Sequence, residues 1–255
     1  MNREMKTLLC AGLLIILAAS ACAPEQNCYG FQNSGQITHI LFIGNSYTYV
    51  NDLPGTFAKL ACSGGHQVQT GMAAQGGWTL AQHIDSDQTL NTLQQQKWDY
   101  VVLQEQSEIP AIQSDRGQTM YPAVRQLVAR IRAAGAQPLL FITWGHKDGD
   151  PQFGLPTYYD MQVQLTAVYM GIAQELNVPT VPVGPVWLKA QAQPTRLDLW
   201  QSDGSHPTEQ GTYLAACVFY AFIFHQSPQG LGYLAGLDQG SAQTLQTLAA
   251  DTVPR

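Results

Sequence analysis

Five short apolar runs punctuate the chain: 37–43 (ITHILFI), 66–72 (HQVQTGM), 100–104 (YVVLQ), 137–143 (QPLLFIT) and 178–184 (VPTVPVG). Between them lie stretches of helical periodicity near 53–62, 79–96, 118–134, 157–176 and 207–226, with a last one near 238–250. Strands and helices alternating in this way predict βαβ units and a mainly parallel sheet. The runs at 39–43, 100–103 and 139–142 are apolar at both parities, as strands covered on both faces should be. With right-handed crossovers the expected fold is α/β, a three-layer α/β/α sandwich around a five-stranded sheet, flavodoxin-like in outline. No internal repeat and no composition break divides 37–255, which is expected to be one domain.

The first 36 residues follow a different pattern. Arg3 and Lys6 precede an apolar run from Leu8 to Ala19. Its length suits a signal-peptide core of about 7–15 residues and falls short of the ~20 needed to span a bilayer. Ala19, Ser20 and Ala21 then lead to Cys22. This resembles a bacterial lipobox, with Ala19 where Leu is usual, and implies that Cys22 becomes the lipidated first residue. Ordinary cleavage after Ala21 is the alternative. Residues 1–21 are thus expected to be a signal peptide, and the polar stretch 22–36 a linker. The expected location is the bacterial cell envelope: lipid-anchored, or otherwise periplasmic or secreted. Membrane contact is expected only through that anchor.

Composition narrows the partners. A hydrophobic content of 45% is enough for a full core. Charged residues make up only 12% and the net charge is −6, so no basic stripe of the kind that binds nucleic acid is present. Export permits disulfides, and Cys28 with Cys62 is the candidate pair; Cys217, in an apolar helical stretch, reads as a buried free thiol. No Cys/His spacing of a metal site occurs, and no metal or cofactor is expected.

In open parallel sheets, sites form beyond the carboxyl ends of the strands. Gly44-Asn45-Ser46 follows the first run. Alone it is an ordinary turn. Near the C-terminus stands Ser202-Asp203-Gly204-Ser205-His206-Pro207. A DxxH loop can supply both the base that takes a serine proton and the carboxylate that fixes the base's tautomer. Its plainer reading is capping of the following helix by Asp203 or Thr208. Gly76-Gly77 follows the second run and Gln104-Glu105-Gln106 the third. A glycine lets a backbone N–H approach a substrate oxygen, and a side-chain amide can donate to the same atom.

Taken in order, these blocks resemble the SGNH (GDSL-like) hydrolases over residues 37–225. The resemblance implies Ser46 as nucleophile, His206 as base and Asp203 as its orienting carboxylate. It implies an oxyanion hole from the Ser46 and Gly77 N–H groups and an amide, with Gly76 the alternative glycine. Asn45 stands where the family commonly has Asp. Gln106 stands where the family has Asn, and Gln104 competes with it. The implied activity is hydrolysis of an acyl ester, an acetyl group on a carbohydrate being one expected substrate.

Trp144 and His146, after the fourth run, are expected to line the pocket, with Tyr158 and Trp200 nearby. His39, His66, His83 and His225 are read as structural or surface residues. Three further readings stay open: a lipid esterase or acyltransferase, a non-catalytic glycan-binding lipoprotein on the same scaffold, and a flavodoxin-like nucleotide binder. The last lacks any glycine-rich phosphate loop, and no G-x-S-x-G elbow supports an α/β-hydrolase.

Overall fold

In the structure, a computed structural model, the most buried strand is β1 (Thr38–Gly44), paired in parallel on one side with β2 (Val68–Ala74) and on the other with β3 (Tyr100–Leu103). Residues 36–194 and 197–252 are described. The expected signal peptide, Cys22 and Cys28 lie outside them. β4 (Gln137–Phe141) and β5 (Thr180–Val181) complete an all-parallel sheet of order β2-β1-β3-β4-β5.

Alternate residues of each strand face opposite layers, because successive side chains in a strand point to opposite faces. Ile40, Phe42, Val102, Leu139 and Phe141 point one way. They meet α2 (Leu53–Ser63), with α8 (Val183–Gln191), α9 (Glu209–Phe224) and α10 (Gln239–Thr252) in the same layer. Leu41, Ile43, Val101, Leu103 and Leu140 point the other way. That layer holds α3 (Leu80–Ile84), α4 (Asp87–Gln94), α6 (Tyr121–Ala133) and α7 (Tyr158–Leu176). Two very short helices, α1 (Ser46–Tyr49) and α5 (Gln113–Asp115), sit in the loops after β1 and β3. The three-layer sandwich expected from the alternating runs is the observed fold.

Helix starts follow local chemistry. Thr208 caps α9, its hydroxyl accepting from Gly211 N–H at 3.2 Å. Thr157 caps α7 and Asn177 closes it in the left-handed region (φ 50°). Two expectations shift. The helix foreseen over 79–96 breaks into α3 and α4, because Ser86 caps a new start by accepting from Thr89 N–H. The strand foreseen over 178–184 shrinks to two residues. Pro182 ends it, and α8 begins at Val183, a helix hidden from the pattern by Gly184 and Pro185. Cys217 is free and buried, as expected, and Cys62 is disulfide-bonded.

Phe219 of α9 sits where the first layer is densest, with ring centroids 5.3 Å from Phe42, 6.2 Å from Phe57 and 5.1 Å from Phe141. Truncating it opens a cavity under the sheet. Phe219→Ala is expected to cost about 3–5 kcal/mol in urea-induced unfolding.

Candidate active site

The turn after β1 is held from below by buried amides. Asn45 caps α1: its Oδ1 accepts from Tyr47 N–H at 3.1 Å and from Gln104 Nε2 at 2.9 Å. Its Nδ2 donates to Trp78 O at 3.0 Å. Gln104, fully buried at the end of β3, accepts on Oε1 from Asn45 N–H and from the Thr48 hydroxyl, both at 2.9 Å. Gln104 packs against the α-carbon of Gly44, where a Cβ would collide with its Oε1. Buried His83 adds a 2.8 Å bond between Nε2 and Gly44 O. These bonds leave Ser46 at the first turn of α1, partly exposed, with its hydroxyl facing outward.

The second half of the site comes from the loop before α9. His206 Nε2 lies 2.9 Å from Ser46 Oγ, and His206 Nδ1 lies 2.6 Å from Asp203 Oδ2. Asp203 Oδ1 also accepts from the N–H groups of Ser205 at 2.9 Å and His206 at 3.0 Å. Burial presses the Asp203 pKa upward. The two N–H groups and the His206 ring outweigh that and hold it below the ordinary aspartate value. Serine, imidazole and carboxylate therefore form one hydrogen-bonded line, in which the imidazole can take the serine proton.

Aromatic stacking sets the height of this loop. Tyr47 stacks on Trp144 with centroids 4.5 Å apart, and Trp144 stacks on Trp187 at 4.1 Å. Tyr47 Oη is 2.7 Å from Ser205 Oγ, and Trp144 Nε1 donates to Ser205 O at 2.9 Å. Trp144 was expected to line the pocket. It is fully buried in this stack, so it cannot meet a substrate ring, and its task is to seat the 203–206 loop. Trp200, nearly buried, packs on Trp187 and donates to Gly145 O at 3.1 Å. Tyr158 packs edge-on against Trp200. His146 stays half-exposed, with Nε2 3.3 Å from Ser107 Oγ.

Three donors expected at the site keep no protein acceptor among the described residues. Gly77 is exposed with φ +72°, a conformation that favours glycine, and its N–H is one of them. The Ser46 N–H is likewise uncommitted. Gln106 accepts on Oε1 from Glu108 N–H at 2.7 Å and Ile109 N–H at 3.1 Å, which orients its amide and leaves Nε2 without a protein partner. Gln104 has both ends of its amide bonded inside the protein and is unavailable as a donor. Between the two alternatives, Gln106 is the one free to reach a ligand.

Glu105 was not foreseen. It is fully buried between the two loops that carry these groups, and its Oε1 accepts from Leu80 N–H at 3.0 Å and Gln106 N–H at 2.7 Å. Oε2 is buried with no partner. Burial pushes its pKa up to about 7, and the two N–H bonds only partly offset it. The only sequence hint was an acidic residue directly after a fully apolar strand.

Two outcomes follow. A carboxyl whose folded pKa is raised binds its proton more tightly in the native state, so its contribution to stability is present below about pH 4.5 and fades as pH rises through about 7. Glu105→Gln should flatten the fall in stability between pH 5 and 7 by up to about 3 kcal/mol, measured by denaturant unfolding across that range. Asn45→Asp, although it restores the residue common in related sequences, sets a carboxylate oxygen against Trp78 O. It should cost about 1–3 kcal/mol, read from thermal melts.

A model of the GDSL-like lipase/acylhydrolase family matches residues 42–214. A protein assigned as an SGNH hydrolase from Slackia heliotrinireducens is 29% identical, with a TM-score of 0.62 over 72% of this chain and 98% of its own. A DUF4886 family protein from Bacteroides uniformis shares the fold at TM-score 0.73 and 19% identity, over 85% of this chain and 94% of its own. An acetyl-xylooligosaccharide esterase from Geobacillus does so at TM-score 0.54 and 18% identity, over 71% of this chain and 92% of its own. No curated protein matches. With its family pattern matched from β1 into α9, the chain belongs to the GDSL-like lipase/acylhydrolase family of ester hydrolases.

Proposed function

We propose that the chain is an exported serine esterase that removes an acyl group, foremost an acetyl, from a carbohydrate through an acyl-enzyme on Ser46. The observation that carries this reading is the Ser46–His206–Asp203 line, with contacts of 2.9 and 2.6 Å. His206 takes the proton of Ser46 as the hydroxyl attacks the acyl carbonyl. The developing oxyanion is met by the Ser46 and Gly77 N–H groups and by Gln106 Nε2. His206 then protonates the leaving alcohol. A water attacks the acyl-enzyme by the same route in reverse roles. Asp203 keeps the His206 Nε2 free of hydrogen for the first step and steadies the imidazolium that follows.

A carbohydrate alcohol is supported by the character of the rim. Tyr49, which is exposed, and the half-buried Trp78 flank Gly76 and Gly77, where they offer aromatic faces to a sugar ring. The fold shared with an acetyl-xylooligosaccharide esterase points the same way. Export rests on residues 3–22, with Cys22 as the lipid attachment. Among the described residues no helix is long and apolar enough to cross a membrane.

Turnover of p-nitrophenyl acetate and release of acetate from acetylated xylan test the reading together. Ser46→Ala should lower kcat by at least about 10⁴ with an unchanged unfolding curve, and Asp203→Asn by about 10⁴ through the wrong imidazole tautomer. Full activity in the Ser46 variant would reject the assignment. Activity confined to long acyl chains would replace the carbohydrate with a lipid.

A further inference from the structure

A second cluster of chemistry-bearing side chains lies beside the site, and the proposed reaction does not use it. Glu108 comes from the loop after β3, and His146 and Asp150 from the loop after β4. One ligand atom of each falls within 4.8 Å of the other two. Two carboxylates held this close repel one another unless something positive or hydrogen-donating stands between them. Among the described residues the imidazole of His146 is the group that stands there, and no Lys or Arg joins it. The ion pairs are His39–Asp99, Arg125–Glu175 and His206–Asp203, and none reaches Glu108 or Asp150. Asp150 is only 8% exposed, yet its carboxylate makes no hydrogen bond; its three bonds to Phe153 and Leu155 all run through its backbone. Its oxygens are not among the sealed, partnerless polar atoms of the fold, so solvent and an ion can reach them.

The geometry points to a divalent transition-metal site, Zn²⁺ or a close relative such as Mn²⁺, held by Glu108, His146 and Asp150. The donor set is one imidazole nitrogen and two carboxylate oxygens. Imidazole favours borderline ions over Mg²⁺ and Ca²⁺, which prefer oxygen alone. With metal–ligand bonds of about 2.1 Å at tetrahedral angles, ligand atoms stand about 3.4 Å apart, so each pair has to close by no more than about 1.4 Å to complete the site. Three protein ligands leave at least one coordination position for water or a substrate oxygen.

The cluster also touches both halves of the esterase site. Glu108 N–H holds the Oε1 of Gln106, and the residue after His146, Lys147, donates its N–H to Gly204 O at 2.8 Å. A bound ion would therefore brace the oxyanion arm and the 203–206 loop against each other. The spacing of 38 and 4 residues between the ligands matches no short metal motif, which is why the sequence alone showed no site.

The test is calorimetric titration of the tag-free chain, stripped with EDTA and dialysed, with ZnCl₂ and MnCl₂, and with MgCl₂ and CaCl₂ as hard-ion controls. One Zn²⁺ or Mn²⁺ should bind per chain, and a hundredfold excess over Kd should raise the unfolding midpoint by several degrees. Glu108→Gln with Asp150→Asn should lose both the binding heat and the shift. Asp148→Asn, an exposed neighbour outside the cluster, should keep them. Fluorophosphonate labelling of Ser46 reports whether each variant is folded, and half-exposed His146→Gln serves if the double variant is not. No binding of either transition ion, or equal binding to the variants, would overturn the site. Binding of Ca²⁺ or Mg²⁺ in their place would overturn the imidazole as a ligand. Metal binding is read independently of ester turnover, so failure here leaves the Ser46 assignment standing.

Discussion

The site depends on a stack of three aromatic rings. Ser46 and His206 are 160 residues apart and must meet within hydrogen-bond length. A site loose by 1 Å loses most of its catalytic power. Tyr47 follows the nucleophile directly, so its ring is fixed by the same helical turn that presents Ser46. Trp144 lies flat beneath it and Trp187 beneath that, anchored in α8. Both upper rings then reach out with their polar ends to Ser205, the residue before His206. The distance between nucleophile and base is thus set by ring thickness and two hydrogen bonds rather than by loop length. The arrangement has a cost: Trp187 Nε1 is buried without a partner, worth about 1–3 kcal/mol, and packing must offset it.

A second set of constraints is polar and lies under the nucleophile. Gln104 uses both ends of its amide here: Nε2 donates to Asn45 Oδ1, and Oε1 accepts from the Asn45 backbone N–H. A carboxylate at 104 could not do this, because it only accepts. Asn45 must also donate to Trp78 O, which ties the turn after β1 to the loop carrying Gly77. The departure from the more usual Asp is therefore explained by what surrounds it. Neighbouring Glu105 links the same Gly77-bearing segment to Gln106 through its carboxylate. Three consecutive residues, Gln104 to Gln106, thus divide their tasks: one holds the nucleophile turn, one joins two loops, and one leaves an amide free.

The fold was largely legible because its strands are buried on both faces and its helices are bounded by caps. Apolar runs such as 39–43 carry that signal whatever their neighbours. That Ser46, Asp203 and His206 meet was legible because a serine at a strand end and a DxxH loop near the C-terminus stand in the order of the family they resemble. What escaped depended on the third dimension. Trp144 follows a strand end just as a pocket residue would, and only packing reveals that it faces inward. The two amides at 104 and 106 lie two residues apart just past β3, and only their partners distinguish them. α8 was hidden because Gly184 and Pro185 weaken any helical pattern. Glu105 and the Glu108–His146–Asp150 cluster join separate loops, and no spacing along the chain encodes that meeting.

Cys217 lies in the middle of α9 with no exposure, under the sheet and one turn from Tyr213, and burial drives its thiol pKa far upward. A thiol in this state is neither ionised nor reachable, and only the thiolate reacts. While the helix is docked it has no route to exchange with the disulfide of Cys62. Its reactivity toward a soluble thiol reagent becomes a clock for the undocking of α9, the helix that begins two residues after the proline following His206.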